Sequence, residues 1–236
     1  MALVEGKCRV GVNMGPAILA SILEGAAYLN VQTVAALEAR DRAITYEEAL
    51  RGRLGRYYDD RVAFDEAFER GSEFKYGAAN VGGVGSLHYG SACAILKHEG
   101  VERIALLPGD SLRLYVSDTG VDLASITYDV GAWDARCKVA AIKLHSEVCR
   151  RSPDTWSRLV CCDDDYIEAI FVDDVGGPEL REVRFVESQD RQFRDAVYAT
   201  QTGAADADTR AHAHTYTRVR RGLRALNIPL VVVPDA

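Results

Sequence analysis

The chain has 236 residues, 48% of them hydrophobic and 27% charged, with a formal net charge of -7. That length can bury a sizeable core, and the balance is that of an ordinary globular protein. The acidic sum excludes a nucleic-acid binder that works by bulk counterion release, leaving only a local basic patch, and no apolar run reaches the roughly 20 residues of a membrane span.

Residues 1–7 lack the charged-then-apolar order of a secretory signal. A cytoplasmic location is therefore expected, with export through a specialised secretion system left open. A first strand is expected over residues 7–13, with Cys8, Val10 and Val12 on one face and Arg9, Gly11 and Asn13 on the other. Gly15-Pro16 breaks the chain. Residues 17–37 then read as a helix whose stripe is Ile18, Leu19, Ile22, Leu23 and Ala26.

Thr45-Tyr46-Glu47-Glu48 is a capping-box signature, opening a helix expected to reach residue 58. A further helix over residues 61–70 is expected to end at Gly71 as a left-handed cap. The glycine-rich run at residues 76–86 reads as a loop, because so much glycine loses too much backbone entropy in a helix. It lacks the Gly-Lys-Ser/Thr of a phosphate-binding loop and the strand–helix context of a dinucleotide fingerprint.

Strands are expected at residues 91–97, 103–107 and 112–116. A long helix follows over 132–150, with Trp133, Cys137, Ala141, Leu144 and Val148 on one face and Pro153 beyond it. Further strands at 166–172 and 180–186, helices at 190–200 and 209–225, and a terminal strand at 229–233 complete the reading. Helices precede clustered strands without regular alternation, which predicts an α+β fold rather than a doubly wound sheet. One domain spanning residues 1–236 is expected.

The six cysteines, Cys8, Cys93, Cys137, Cys149, Cys161 and Cys162, form no C-x-x-C pair. They read as reduced, several of them as small core residues, rather than as zinc ligands, and a Cys161–Cys162 bridge would need a strained geometry. Asp163-Asp164-Asp165 reads as a solvated turn against the alternative of a Ca2+ or Mg2+ site. His212 and His214 fall on different faces of a helix. His88 and Cys93 lie on opposite faces of a strand, so no nucleophile pair is expected. No metal site is predicted. Arg218, Arg220, Arg221 and Arg224 make a basic helix face, solvated or docked to an acidic partner.

In the strand at 166–172, alternation sets Glu168 with Tyr166 and Ile170, opposite Ile167, Ala169 and Phe171. A carboxylate in mid-strand, in an apolar setting, marks a candidate site.

Tyr76-Gly77-Ala78, Tyr89-Gly90-Ser91 entering a strand, Arg103, Gly109-Asp110-Ser111 and Tyr166-Ile167-Glu168-Ala169 follow one another in an order that resembles an uncharacterised bacterial domain family. That family is itself similar to ADP-ribosyltransferase toxins and effectors. The resemblance covers about residues 7–185, leaving 16–74 as a helical insertion and 188–236 as a C-terminal helical extension. It implies an ADP-ribosyltransferase-like split, mixed or antiparallel sheet with an N-terminal helical segment, binding NAD as substrate.

Roles follow from the resemblance. Arg9, Asn13, Tyr76, Gly77, Tyr89, Gly90 and Ser91 are expected to bind NAD. Arg9, Ser91 and Glu168 are the expected catalytic set, with Glu168 stabilising the cation formed as nicotinamide leaves. Breaking an N-glycosidic bond develops positive charge on the sugar, where a fixed carboxylate is most effective. Arginine-modifying transferases carry a second acidic residue or glutamine two positions before the catalytic glutamate. Tyr166 stands there, so the acceptor, protein or nucleic acid, stays open. The rival readings are a catalytically degenerate binding protein of the same fold and an NAD glycohydrolase.

Overall fold

The computed structural model describes residues 1–97, 103–147, 150–152, 155–162 and 165–235. Its strands are β1 Arg9–Met14, β2 Lys75–Asn80, β3 Ala92–Leu96, β4 Ile104–Leu107, β5 Val116–Ser117, β6 Gly120–Val121, β7 Gly131–Ala132, β8 Cys161–Cys162, β9 Asp165–Tyr166, β10 Glu168–Phe171, β11 Leu180–Val186 and β12 Leu230–Val233. Eight of these form one continuous mixed sheet in the order β12-β11-β3-β1-β2-β10-β4-β7. Its neighbours are antiparallel except β11 and β12, which run parallel. That pair is joined by the helices α10 Glu187–Gln201 and α11 Ala207–Ala225, the kind of crossover that parallel strands require. Helices and mixed sheet together give the expected α+β class.

One face of the sheet carries Val10, Val12, Ala79, Ala94, Leu106, Ala169, Phe171 and Phe185 in the main apolar core. Against it pack α2 Pro16–Leu23, α8 Arg136–Leu144, α10 and α11. The other face carries Leu107 and Ile170, which meet Phe64 of α5 Tyr58–Glu66, Leu112 and Tyr115 of α6 Ser111–Tyr115, and Ile126 of α7 Leu123–Asp129. Beside these lie α3 Val31–Arg42 and α4 Tyr46–Leu54, which share a small cluster of Ala35, Ala49 and Leu50. Helices α2 to α5 all fall between β1 and β2, which are neighbours in the sheet. Among the described residues the α-helices also include α1 Ala2–Lys7 and α9 Trp156–Val160.

Several expectations hold closely. The strand expected at 180–186 is β11, and the helices expected at 190–200 and 209–225 are the bodies of α10 and α11. The Thr45 capping box forms: its hydroxyl accepts from Glu48 N at 3.1 Å, and the Glu48 carboxylate accepts from Thr45 N at 2.8 Å. Thr45→Ala is expected to cost about 1 kcal/mol in a chemical-denaturation midpoint.

Other expectations are corrected. The helix over 17–37 is two helices, because Tyr28 leaves it to donate its N–H to Val175 O at 2.7 Å and Asn30 then caps α3 through Thr33 N. Ile18 and Ala26 of the expected stripe are exposed. Gly71 is not a left-handed cap. It starts a short 3-10 turn, and a Cβ there would fall 1.7 Å from the Asp65 carbonyl oxygen. Residues 76–80 are not loop but the centre of β2, where ladder bonds on both sides outweigh the entropy lost at Gly77.

The strand at 112–116 is instead α6, because Asp110 caps it by accepting from Arg113 N at 3.0 Å. The long helix over 132–150 shrinks to α8 behind a 3-10 turn, with Val139, Ala140 and Leu144 buried. Val148, Cys149 and Pro153 lie outside the described residues. The strand at 166–172 is interrupted at Ile167, whose carbonyl accepts from Ala79 N at 2.9 Å. Residues 2–7 form α1, so β1 opens at Arg9. Cys8, Cys93 and Cys161 are buried, Cys162 is exposed, and these and Cys137 are free thiols.

Candidate functional site

Glu168 opens β10 opposite Ala78 of β2 and Leu107 of β4, and Ala78 in turn pairs with Gly11 of β1. Side chains one position apart point to opposite faces. Ala169 and Phe171 therefore enter the main core, while Glu168 looks the other way, as the alternation predicts. The small residues Ala78 and Gly11 keep the sheet low beside the carboxyl. Asn13 and Tyr76 stand on the same face, and α3, α4 and α5 lie above. Between sheet and helices is a cavity of about 370 Å³, with Glu168 in its lining. Ile18, Leu29 and Tyr89 stand at its edge, Tyr89 being 56% exposed.

Glu168 is 2% exposed. Its Oε2 accepts from Ser111 N at 3.0 Å, and its Oε1 lies 3.9 Å from a nitrogen of Arg61. Burial pushes its carboxyl up to about 7, against the opposing pull of the Arg61 charge and the Ser111 hydrogen bonds. Oε2 is the oxygen held by the backbone donor, and Oε1 is the one that faces Arg61.

Arg61 and its neighbours come from the roof. In α5, Arg61, Phe64 and Asp65 recur at helical spacing on one face, and Phe64 fixes that face against the sheet side. The Arg61 guanidinium lies over the Tyr76 ring at 3.8 Å from its centroid. Asp65 is 2% exposed. It accepts from the Tyr76 hydroxyl and, at 3.0 Å, from Gln32 Nε2, while Tyr46 donates to Gln32 Oε1. Burial raises the Asp65 carboxyl and the Tyr76 phenol.

A second polar chain reaches the cavity from the other side. The Tyr166 hydroxyl donates to Asp110 Oδ2 at 2.7 Å and lies 3.1 Å from the Tyr89 hydroxyl. Its one proton goes to Asp110, so Tyr89 is the donor to Tyr166. Burial raises both phenols.

Of the expected site residues, Asn13, Tyr76, Gly77, Tyr89 and Glu168 line this one cavity. Arg9, Gly90 and Ser91 do not, and the catalytic set of Arg9, Ser91 and Glu168 is not brought together. Arg9 sits at the start of β1 and folds back to donate to Cys8 O at 2.6 Å and Gly6 O at 3.3 Å. Ser91 is half-buried just before β3. Gly90 accepts from Asn13 Nδ2 at 3.0 Å, and the same amide donates to Val84 O and accepts from Ser86 N. Asn13 thereby ties the glycine loop to the cavity edge.

Sequence reasoning missed Arg61 and Asp65, and it set Asp110 and Ser111 among the pieces of the site without giving them a role. Two charges sharing a helical face with Phe64 and Phe68 were the available signal for the first pair. Asp110-Ser111 as a helix start was the signal for the second.

Among the described residues no cluster of three or more His, Cys, Asp or Glu is placed to hold a metal. Asp165 pairs with Lys143 and, at 3.8 Å, with Arg113, while Asp163 and Asp164 lie outside the described residues. In the basic face of α11, Arg218 and Arg221 bind Glu24 at the end of α2, an acidic partner within the chain. Among the described residues no helix is long and apolar enough to cross a membrane. No protein-family model matches the chain, and comparison with curated proteins gives no match either.

Proposed function

We propose that the protein is an enzyme acting on a small, largely apolar molecule, with Glu168 as its acid–base group. The observation that carries this reading is a carboxyl buried in the wall of a partly enclosed cavity, where burial pushes it up to about 7. General acid–base groups work best when their pKa lies near the working pH, and a strongly raised carboxyl in a cleft is a recurrent mark of function. A carboxylate kept for structure alone is better served by close ionic hydrogen bonds, and Arg61 stands back at 3.9 Å.

In this reading Ser111 N fixes the orientation of Glu168. The proton moves on and off its carboxyl, and the charge of Arg61 keeps the pKa from rising further. The tyrosines of the wall supply an apolar body with polar tips.

A second reading keeps NAD as substrate, on an ADP-ribosyltransferase-type fold with an unidentified protein or nucleic-acid acceptor. The observation that favours it is that Tyr76 and Tyr89 share the cavity with Glu168. A ring and a developing sugar cation would both find partners there. A space of about 370 Å³ suits the nicotinamide–ribose end and leaves the rest of the dinucleotide outside. Arg9 and Ser91 then have no part in catalysis.

The test is incubation of the protein with a metabolite extract and, separately, with NAD, followed by mass spectrometry beside Glu168→Gln. At least one compound should be consumed by the parent and about a hundredfold more slowly by the variant. Nicotinamide release places that compound as NAD, and a labelled macromolecule separates transfer from hydrolysis. If parent and variant leave every compound alike, the acid–base reading fails and a non-catalytic binding protein replaces it.

A further inference from the structure

The charge around the cavity is lopsided: among the described residues Arg53, Arg61 and Lys75 line it, against Glu168 as the one carboxylate of the lining. Arg53 is engaged by Glu38 at 2.7 Å. Lys75 reaches Val172 O at 3.4 Å and Asp174 at 3.6 Å. Arg61 is different. Its side chain is only 11% exposed, its hydrogen bond to Ser111 Oγ is 3.5 Å long, and the carboxylates of Asp65 and Glu168 lie 3.9 Å away. For comparison, the exposed Arg103 meets Asp173 at 2.6 and 2.9 Å.

A guanidinium carries five N–H donors in one plane and stays charged at all working pH. Its contact with the Tyr76 ring limits how far it can swing. The guanidinium is thus buried and charged, and apart from its contact with Tyr76 its acceptors Ser111, Asp65 and Glu168 stand at the limit of hydrogen-bond reach or beyond it. Such a fork matches a planar anion that accepts two parallel N–H bonds, a carboxylate above all. A phosphate would call for several cations or backbone donors around it, and the other two cations of the lining already have partners.

We propose that the ligand of this cavity is a small carboxylic acid, its carboxylate docked on the Arg61 fork and its apolar body against Tyr28, Leu29 and Val34. The assignment rests on the cavity being the ligand site put forward above. It adds the class of molecule and the residue that selects it. The ligand's reacting carbon is then held beside Glu168, because the two side chains are neighbours.

Fluorescence titration with 2-naphthoate and its neutral analogue 2-naphthamide tests this on the full chain. The parent should bind the acid about tenfold or more tightly than the amide. Arg61→Gln should bring the two within about twofold, and Arg61→Lys, which keeps charge and stem but lacks the fork, should lose most of the preference. The surface variant Arg103→Gln should keep it.

Equal affinity for acid and amide, binding of neither, or a preference that survives Arg61→Gln overturns the proposal. Tighter binding of 2-naphthyl phosphate than of 2-naphthoate overturns the carboxylate class. None of these results bears on Glu168, whose role is read from turnover in the Glu168→Gln comparison.

Discussion

Glu168→Gln is expected to flatten part of the pH dependence of stability. In the unfolded chain the carboxyl ionises near its ordinary value of 4.5, and in the folded protein it ionises at about 7. Between those values the folded state holds a proton that the unfolded state has released. Raising the pH therefore favours unfolding across that window. The loss begins above pH 4.5 and is complete once pH passes 7. Each pH unit of the window is worth about 1.4 kcal/mol, so the parent should lose roughly 3 kcal/mol relative to the variant.

Denaturant midpoints of the two proteins at about pH 5 and about pH 8 measure it, since ionisations common to both cancel in the difference. A difference that stays constant with pH means that the carboxyl is ionised in the fold at ordinary pH. In that case the acid–base assignment loses its basis.

The second large effect concerns Gly71. A Cβ at this position would fall 1.7 Å from the carbonyl oxygen of Asp65, 2.5 Å from its carbonyl carbon and 2.8 Å from its Cα. All three are backbone atoms, so no side-chain rotation relieves the clash and the end of α5 must move. Gly71→Ala is expected to cost about 3 kcal/mol, at the upper end for overpacking. The damage should also reach the cavity, because the Asp65 carboxylate carries the hydrogen bonds of Tyr76 and Gln32.

Gly52→Ala makes the control. Gly52 lies within α4 with nothing inside 4 Å of the added carbon, so that substitution should stabilise by about 0.5–1 kcal/mol. Similar melting curves for both variants would show that the turn at Gly71 has room that the geometry denies it.

What could be read from the sequence was what a few neighbouring residues decide. The alternation in 166–172 placed Glu168 on the face away from the core, and the Thr45 box set the start of α4. The even apolar pattern of 180–186 gave β11 to the residue. What could not be read depends on contacts far along the chain. Tyr28 leaves its expected helix for Val175, Asp110 turns an expected strand into α6, and the glycine run becomes a central strand only because β1 and β10 flank it.

The site divided in the same way. Its floor residues could be picked out, since strand periodicity marks faces. Arg61 and Asp65 showed only as charges sharing a helical face with Phe64 and Phe68, because they reach Glu168 and Tyr76 only when a helix from another part of the chain folds over the sheet. Arg9 looked apt by position on a first strand, yet its side chain turns back to its own neighbours' carbonyls.

The placement of α2 to α5 between two strands that lie side by side carries a consequence for how the molecule assembles and varies. β1 and β2 can pair only after residues 15–74 have been gathered into a loop. The entropic cost of such a closure grows slowly with length, about 0.6 kcal/mol for each doubling. Insertions within that stretch are therefore cheap for the sheet. Roof and floor come from separate tracts of chain, so the roof of the cavity can drift in sequence while the strand register that presents Glu168 stays fixed.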